Sequence, residues 1–331
     1  IYTCSGSESI ECAIKLARKV QYLRGRPTAN RILTLDMSYH GTTYAAMTAS
    51  GMDRAELTEY APLNGRIDLL KTPFFPAKEP AADEKQPYLR ELDHQFAARD
   101  VAAVLIEPVL ASGGIIALPA WYLQALSEHL KSSGALLIAD EVATGFGRVG
   151  ELFCSIGLPA KPDILCLSKA INNGMVPMGA VLLNAGVDGC FERKNEYLNH
   201  FSTQCGNPIA CAAALETLRI LESSDLLSRA AHTAALLRTA LTAVLTPLPC
   251  VREVRAAGMM FGIDLVNAAV PLPIAALDEL RLRLEQKGLI VYMFSTPGRT
   301  AGITLMPTYL TDANDADFMA GTLKRALARL F

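Results

Sequence analysis

The first two-thirds of the chain alternates short apolar runs with longer segments of helical periodicity. The runs lie at residues 31–35, 101–106, 135–139, 164–167 and 179–183, and the helical segments lie at 8–23, 120–131 and 208–221. The apolar residues of each run are consecutive rather than alternating, which is typical of strands buried on both faces. This order of elements predicts an α/β fold with a mostly parallel central sheet flanked by helices.

The pattern changes near residue 221. Beyond it, helical segments and strand candidates alternate more loosely, with helices predicted at 226–245, 274–287 and 312–330 and strands at 259–266 and 289–294. We therefore predict a large domain over residues 1–220 and a smaller C-terminal α+β domain over 221–331. The polar and charged segment 83–95 is predicted to be a surface excursion.

Composition and charge exclude several classes of protein. Of the 331 residues, 51% are hydrophobic and 19% are charged, which excludes a disordered chain. The net charge of −2 gives no basic footprint for nucleic acid or an anionic membrane, and no apolar run is long enough for a membrane span. The eight cysteines form no disulfide scaffold and no zinc-ligand pattern, so we expect no metal site, reduced thiols and a cytoplasmic location.

Ionisable residues directly follow several of the predicted strands. Glu107, Asp140 and Lys169 each stand at the end of an apolar run, and the run at 31–35 leads to Tyr39 and His40. Ligands of open α/β sheets bind just beyond the carboxyl ends of the strands. Any one of these residues alone would most often be a solvated loop residue. Several of them in register predict a shared site.

A small glycine–serine turn opens the first predicted helix. Ser5, Gly6 and Ser7 precede the helical periodicity, and Ser5 with Glu8 fits a capping box. The unpaired amides and positive dipole end of such a helix suit a phosphate. The alternative is a well-capped surface helix that binds nothing. The segment has neither the Walker pattern nor the G-x-G-x-x-G dinucleotide pattern.

Lys169 and Asp140 together indicate a pyridine cofactor. A lysine amine shielded from water has a lowered pKa and can form a Schiff base with a carbonyl group. A buried carboxylate can hold a pyridine nitrogen protonated, so that the ring acts as an electron sink. The alternative for Lys169 is a strand-end lysine that points to water. With the glycine–serine turn and Tyr39, the chain offers the contacts that pyridoxal 5′-phosphate (PLP) needs.

These motifs resemble those of the class III, or ω-amino-acid, aminotransferases, which are PLP enzymes of fold type I. The matching segments run in the family's order over almost the whole chain: Ser-Gly-Ser-Glu-Ser at 5–9, Ser-Tyr-His-Gly-Thr at 38–42, Ile-Glu-Pro-Val at 106–109, Leu-Ile-Ala-Asp-Glu-Val at 137–142, Gly-Phe-Gly-Arg at 145–148, Lys169, and Thr203 with Gly-Asn-Pro at 206–208. The resemblance implies transfer of an amino group from an amine or ω-amino acid to a keto acid such as pyruvate or 2-oxoglutarate.

The resemblance also implies roles around the cofactor ring. Lys169 would form the Schiff base and later shuttle protons, and Asp140 would pair with the ring nitrogen. Tyr39 would stack on one ring face and Val142 would pack on the other. Glu107 matches the glutamate behind the cofactor, near the ring's hydroxyl side.

Further implied roles concern the phosphate and the partner subunit. Ser5, Gly6 and Ser7 would surround the phosphate, and Thr203 would hold it from a second copy of the chain. That role implies a homodimer with two sites at the interface. His40, beside the cofactor, and Arg148 match family positions, and we expect both to support the structure rather than the chemistry.

The chain departs from the family pattern in its substrate residues. The resemblance implies a segment ahead of the Ser5 turn, absent from this chain, that supplies part of the small domain and of the substrate pocket. Many relatives also place an arginine after the Gly-Leu-Ile strand, where this chain has Tyr292. Arg299 and Tyr292 are our candidate substrate residues, and Arg299 is the candidate for binding a substrate carboxylate, because a planar guanidinium suits that group. The alternative is that Arg299 is a solvated loop residue.

Two alternatives to amino transfer remain open at this point. An aminomutase or an amino-acid racemase would have the same cofactor motifs. A catalytically inert, truncated relative would bind the cofactor without turnover, although the presence of Lys169, Asp140 and Tyr39 argues against it.

Overall fold

The computed structural model describes residues 1–52, 56–60 and 65–328. Its strands are β1 (Tyr2–Thr3), β2 (Arg31–Leu35), β3 (Ile67–Leu70), β4 (Val101–Ile106), β5 (Val109–Leu110), β6 (Ile116–Ala117), β7 (Leu136–Asp140), β8 (Ile164–Leu167), β9 (Gly179–Leu183), β10 (Val251–Ala257), β11 (Met260–Asn267), β12 (Val270–Pro271), β13 (Tyr292–Thr296) and β14 (Thr300–Leu305). Its α-helices are α1 (Gly6–Leu23), α2 (Tyr44–Ala49), α3 (Ala82–Ala97), α4 (Ala120–Ser133), α5 (Ala185–Glu192), α6 (Pro208–Ser223), α7 (Leu226–Leu245), α8 (Ile274–Glu285) and α9 (Ala313–Leu327).

The large sheet has the strand order β1-β9-β8-β7-β4-β2-β3. The strands from β8 to β3 are parallel, whereas β9 is antiparallel to both of its neighbours. In this register Ile106 pairs with Ala139, and Asp140 pairs with Cys166. The carboxyl ends of β4, β7 and β8 therefore meet at one edge. This confirms the predicted mostly parallel α/β sheet.

Helices cover both faces of the large sheet because its central strands are apolar on both sides. All residues of β4 are buried. Ala103 and Leu105 belong to the core shared with α1, whereas Val104 and Ile106 belong to the core shared with α3 and α4. This packing fixes the strand ends, and hence the residues that follow them, in a rigid frame.

The small sheet, of order β10-β11-β14-β13 with β12 on β11, is antiparallel throughout. Residues of α7, α8 and α9 form one core with it. The part of the chain after α6 thus has an antiparallel sheet and helices with a core of their own. The boundary predicted between residues 220 and 221 falls within the last turn of α6, and the chain leaves that helix only at Ser224.

Three sequence predictions need correction. Segment 83–95 is not a surface excursion but lies in α3, where Tyr88, Leu92 and Phe96 form a narrow apolar stripe at helical spacing. β10 and β14 were not predicted, because their apolar residues alternate with polar or small ones. β13 begins at residue 292 rather than 289. The predicted end of the last helix, at 330, lies outside the described residues.

None of the helices within the described ranges has the length and apolar character needed to cross a bilayer.

Candidate active site

A cleft of about 170 Å³ lies at the carboxyl edge of the large sheet. It brings together nine of the residues predicted to form the site: Ser5, Gly6, Ser7, Tyr39, His40, Glu107, Asp140, Val142 and Lys169. They come from the start of α1 and from the segments that follow β2, β4, β7 and β8. Residues that follow four different strands of the sheet therefore meet in this one cleft.

The start of α1 presents backbone amides to the cleft. Ser5 is the N-cap residue, and its Oγ accepts a hydrogen bond from the amide of Glu8 at 3.2 Å. The amides of Gly6 and Ser7 lie in the first helical turn and have no acceptor within the helix. The predicted capping box is only half formed, because the Glu8 carboxylate accepts from Cys4 N at 2.7 Å rather than from Ser5.

Gly41 lies directly against the Ser7 side chain in the cleft wall. The sequence did not single out this contact. The Ser7 hydroxyl accepts a hydrogen bond from the amide of Thr42 at 3.1 Å. Gly41 has a φ of +123°, and a Cβ at this position would lie 2.2 Å from Ser7 Oγ. A side chain is therefore excluded by both the backbone conformation and the space. In the sequence, the feature that could have indicated this contact is the glycine of the Ser-Tyr-His-Gly-Thr segment.

We expect Gly41→Ala to weaken PLP binding about tenfold, because the added methyl group displaces the Ser7 hydroxyl. The matched control is Gly150→Ala, since Gly150 has a φ of +102° with no atom within 4 Å of the added Cβ. Both variants should lose about 1–3 kcal/mol of unfolding free energy from backbone strain. Titration with PLP distinguishes them, and equal PLP affinities for the two variants would contradict the assignment of Ser7 to the cofactor.

Asp140 is the last residue of β7 and is fixed from two sides. Its Oδ2 lies 2.7 Å from His40 Nδ1, and its Oδ1 accepts from the amide of Val142 at 3.0 Å. The Asp140 side chain is 5% exposed and the His40 side chain is 0% exposed. His40 Nε2 in turn lies 3.1 Å from Thr34 Oγ1. This network orients a buried carboxylate in the cleft wall, where it can stabilise a neighbouring positive charge.

Glu107 joins the two loops that flank Asp140. Its Oε1 accepts from the amide of Tyr39 and its Oε2 accepts from the amide of Ala111, both at 3.0 Å. The pKa of Glu107 is raised to about 7, mainly by burial; His40 and the hydrogen bonds from the Tyr39 and Ala111 amides lower this pKa, and the Asp140 carboxylate raises it. Glu107 therefore fixes the loop of Tyr39 against the loop of Ala111.

This raised pKa predicts a pH-dependent stability of the cofactor-free protein. The Glu107 contribution is fully present below about pH 4.5 and is lost as the pH rises through about 7, because the folded state holds the proton more tightly. Its loss amounts to at most about 3 kcal/mol. We expect Glu107→Gln to lack this part of the pH dependence in urea unfolding at pH 5 and pH 7.5. Parallel wild-type and variant curves would contradict the raised pKa.

Lys169 directly follows Ser168 at the end of β8 and has a φ of +42°. This left-handed conformation is strained for a residue with a side chain, and such strain is concentrated at functional sites. No sequence pattern predicted this backbone conformation. Lys169 lines the cleft and is an exposed residue in the single chain, whereas the sequence argument expected a shielded amine.

Arg299, which we predicted to be a substrate residue, does not line this cleft. Its Nη1 is 3.0 Å from both carboxylate oxygens of Asp36, and its Nη2 donates to the carbonyl oxygen of Thr72 at 2.6 Å. The guanidinium is thus neither available to a substrate nor a freely solvated loop group. Tyr292, the second candidate, is 59% exposed on β13 and also lies outside the cleft.

Two other residues of the family pattern lie outside the cleft in this chain. Thr203 is exposed and does not line it. Arg148 donates to the carbonyl oxygen of Pro307 at 2.6 Å and stacks on the ring of Tyr309, 4.7 Å from its centroid. Burial lowers the pKa of Arg148. In the described part of the chain, we find no cluster of His, Cys, Asp and Glu that could hold a metal ion.

The chain matches a known enzyme family over almost its whole length. The model of the family "Aminotransferase class-III" matches residues 1–327. The chain belongs to the class III aminotransferases. An omega-aminotransferase from Caulobacter vibrioides is 31% identical over 342 residues, which cover 99% of this chain and 75% of that protein.

Solved structures give the same family. A Bacillus anthracis aminotransferase superposes with a TM-score of 0.92 at 31% identity, covering 99% of this chain and 76% of that one. An amine transaminase from an uncultivated Pseudomonas species, solved with PLP bound, superposes with a TM-score of 0.90 at 33% identity. The superposition covers 100% of this chain and 76% of that one. These neighbours confirm fold type I, PLP as the cofactor and aminotransferase activity. They give no support to the aminomutase, racemase or inert alternatives.

The cleft of this aminotransferase fits PLP. The unpaired amides of Gly6 and Ser7 suit its phosphate, because a helix start offers donors and a positive dipole end to an anion. The absence of a Cβ at Gly6 leaves room there, since one would meet Val142 Cγ1 at 3.0 Å. The buried carboxylate of Asp140 suits a protonated ring nitrogen.

Proposed function

We propose that the aminotransferase holds PLP in the cleft at the carboxyl edge of the large sheet, with Lys169 Nζ attached to the cofactor's aldehyde carbon. One observation supports this above all others: Lys169, Asp140 and the amides at the start of α1 line the same small cleft. The strained backbone of Lys169 adds support, because a lysine without a site-specific task has no need of a φ of +42°.

Each residue would then have a distinct task. Gly6 and Ser7 would bind the phosphate, and the Asp140 carboxylate, oriented by His40, would keep a proton on the ring nitrogen. Tyr39 and Val142 orient the ring from its two faces. Once bound, PLP supplies an electron sink for the bond that breaks at the donor carbon. Once the donor's nitrogen has replaced Lys169 Nζ on the cofactor, the freed Nζ would take the proton from the donor carbon and later deliver one, as a general base and acid.

For the substrates, we propose a primary amine or ω-amino acid donor and a keto acid acceptor such as pyruvate or 2-oxoglutarate. The likeness to an omega-aminotransferase and an amine transaminase supports this class of donor. Within this class, the pairing of Arg299 with Asp36 favours an amine without a carboxylate, because that guanidinium already binds a carboxylate of the chain itself.

A donor screen tests this function directly. The PLP-loaded protein is mixed with amines with and without a carboxylate, and the cofactor absorbance and the nitrogen content of added pyruvate or 2-oxoglutarate are followed. We expect donors to bleach the yellow absorbance and transfer nitrogen to the keto acid. Donor nitrogen that stays in a rearranged or racemised product, or no bleaching by any amine, would contradict amino transfer.

We further propose a homodimer in which Thr203 of each chain contacts the phosphate bound by the other. Its exposure and its position outside the cleft of its own chain support this arrangement. Mixing Lys169→Ala chains with Thr203→Val chains should restore one intact site per dimer, whereas no recovery on mixing would contradict it.

The two sheets, with their separate cores, support a division into a large and a small domain near Ser224.

The eight free thiols support a cytoplasmic location, which cell fractionation tests.

A further inference from the structure

We infer that a charged cluster in the small sheet, centred on Asp264, positions the two loops that form one wall of the cofactor cleft. The loops are residues 36–41, which contain Tyr39, and residues 111–114, which follow β5. The inference rests on the proposed function only in naming PLP as the ligand of that cleft. The cluster consists of Asp264, Arg252, Arg255, Arg299 and Thr300, and we call it the Asp264 cluster.

Asp264 lies on β11 and is completely buried. Its Oδ2 accepts from Arg252 Nη2 and Arg255 Nη1, both at 2.8 Å, and from Thr300 Oγ1 at 3.0 Å. Its Oδ1 is buried without a hydrogen-bond partner among the described residues. A buried carboxylate is tolerated only when it is paired, so removing either arginine is costly. The cluster is therefore a fixed unit rather than a set of solvated side chains.

Arg255 connects the cluster to the loop 111–114. Its Nε donates to the carbonyl oxygen of Gly114 at 2.7 Å, and its side chain is only 9% exposed. The guanidinium lies between two rings, 5.2 Å from the centroid of Phe74 and 5.5 Å from that of Phe294. A Cβ on Gly114 would lie 2.7 Å from the Phe294 ring. The loop 111–114 is therefore in close contact with residues of the small sheet.

Arg299 connects the cluster to the loop 36–41. Its guanidinium binds both carboxylate oxygens of Asp36 and the carbonyl oxygen of Thr72, while its own carbonyl oxygen accepts from Arg252 Nη2 at 2.7 Å. The side chains of Arg299 and Asp36 are 23% and 32% exposed. An isolated exposed ion pair contributes little, but Arg299 belongs to a network, with Nη1 on both oxygens of Asp36 and Nη2 on the carbonyl oxygen of Thr72. Asp36 stands three residues before Tyr39.

The same two loops are joined on the cleft side by Glu107, which accepts from Tyr39 N and Ala111 N. They also contact each other, because a Cβ on Gly113 would lie 2.8 Å from the carbonyl oxygen of Met37. A displacement of the small sheet would therefore move Tyr39 and Ala111 together. By linkage, cofactor binding and the docking of the small sheet stabilise each other to the same extent. Arg299 and Arg255 are positioning residues in this scheme.

The test compares Arg299→Ala, Arg299→Lys and Asp36→Asn with wild type. The first measurement is the rate at which PLP leaves the loaded protein. The second is hydrogen exchange of the amides in 36–41 and 111–114 without cofactor. We expect about tenfold faster PLP loss and faster exchange confined to these loops for Arg299→Ala and Asp36→Asn. Arg299→Lys, which keeps a charge for Asp36 but has no second nitrogen group for the carbonyl oxygen of Thr72, should be intermediate.

Arg281→Ala is the matched control, because Arg281 forms an exposed ion pair with Glu285 on α8, away from the cleft. It should match wild type in both measurements. Variants that lower the unfolding temperature but keep wild-type PLP loss and loop exchange would overturn the inference. If Arg299→Ala does not fold, Asp36→Asn and Arg299→Lys decide the matter. A wild-type protein that never retains PLP would refute the proposed function, while loop exchange would still test the cluster.

Discussion

Lys169→Ala should reduce amino transfer by at least about 10⁴-fold, because Nζ is both the attachment point of the cofactor and the group that moves the donor's proton. The variant should still bind PLP through the amides at the start of α1 and through Asp140, since none of these contacts involves Lys169. Steady-state transfer to pyruvate measures the first effect. Equilibrium dialysis of PLP measures the second.

Lys194→Ala is the control for this substitution, because Lys194 is exposed and does not line the cleft. It should transfer nitrogen at the wild-type rate. A Lys169→Ala variant that retains more than about one-hundredth of the wild-type rate would mean that another group performs the proton transfer.

Asp140→Asn should reduce turnover by on the order of 10³-fold while leaving the protein folded. The amide oxygen of asparagine can still accept from Val142 N, so the local structure is kept, but the negative charge beside the ring nitrogen is lost. Without that charge the ring nitrogen loses its proton and the electron sink is weakened. The fall should appear in kcat, with PLP still attached to Lys169.

The control for the charge is Asp188→Asn, an exposed position in the first turn of α5. Its kcat should equal that of wild type. If Asp140→Asn lost only PLP affinity and kept its kcat at saturating PLP, Asp140 would serve to bind the cofactor rather than to maintain its protonation.

The sequence was sufficient for the parts of the fold with strong local signals. Strands such as Val101–Ile106 and Ile164–Leu167 occur where continuous apolar runs predicted them. The ends of these strands then placed Glu107, Asp140 and Lys169 at one edge, because parallel strands in one sheet end together. The helix α3 was missed because its apolar stripe is narrow, and β14 because a Gly-containing alternation gives a weak strand signal.

The remaining features depend on contacts between distant parts of the chain. Arg299 meets Asp36 across 263 positions, so no local pattern could separate an ion pair from a substrate ligand. The positive φ of Lys169 arises from the turn after β8, and lysine as a residue type gives no sign of it. The closeness of Gly41 to Ser7 likewise exists only in three dimensions.

The attachment of PLP to Lys169 is tested most directly by peptide mapping. The PLP-loaded protein is reduced with borohydride, which makes the link between PLP and a lysine permanent. The protein is then digested, and the peptide masses are measured by mass spectrometry. The account predicts one added pyridoxyl phosphate group, on the peptide containing Lys169, and none in the Lys169→Ala variant. A label on any other lysine, or an unlabelled Lys169 peptide from protein that is yellow with PLP, would contradict it.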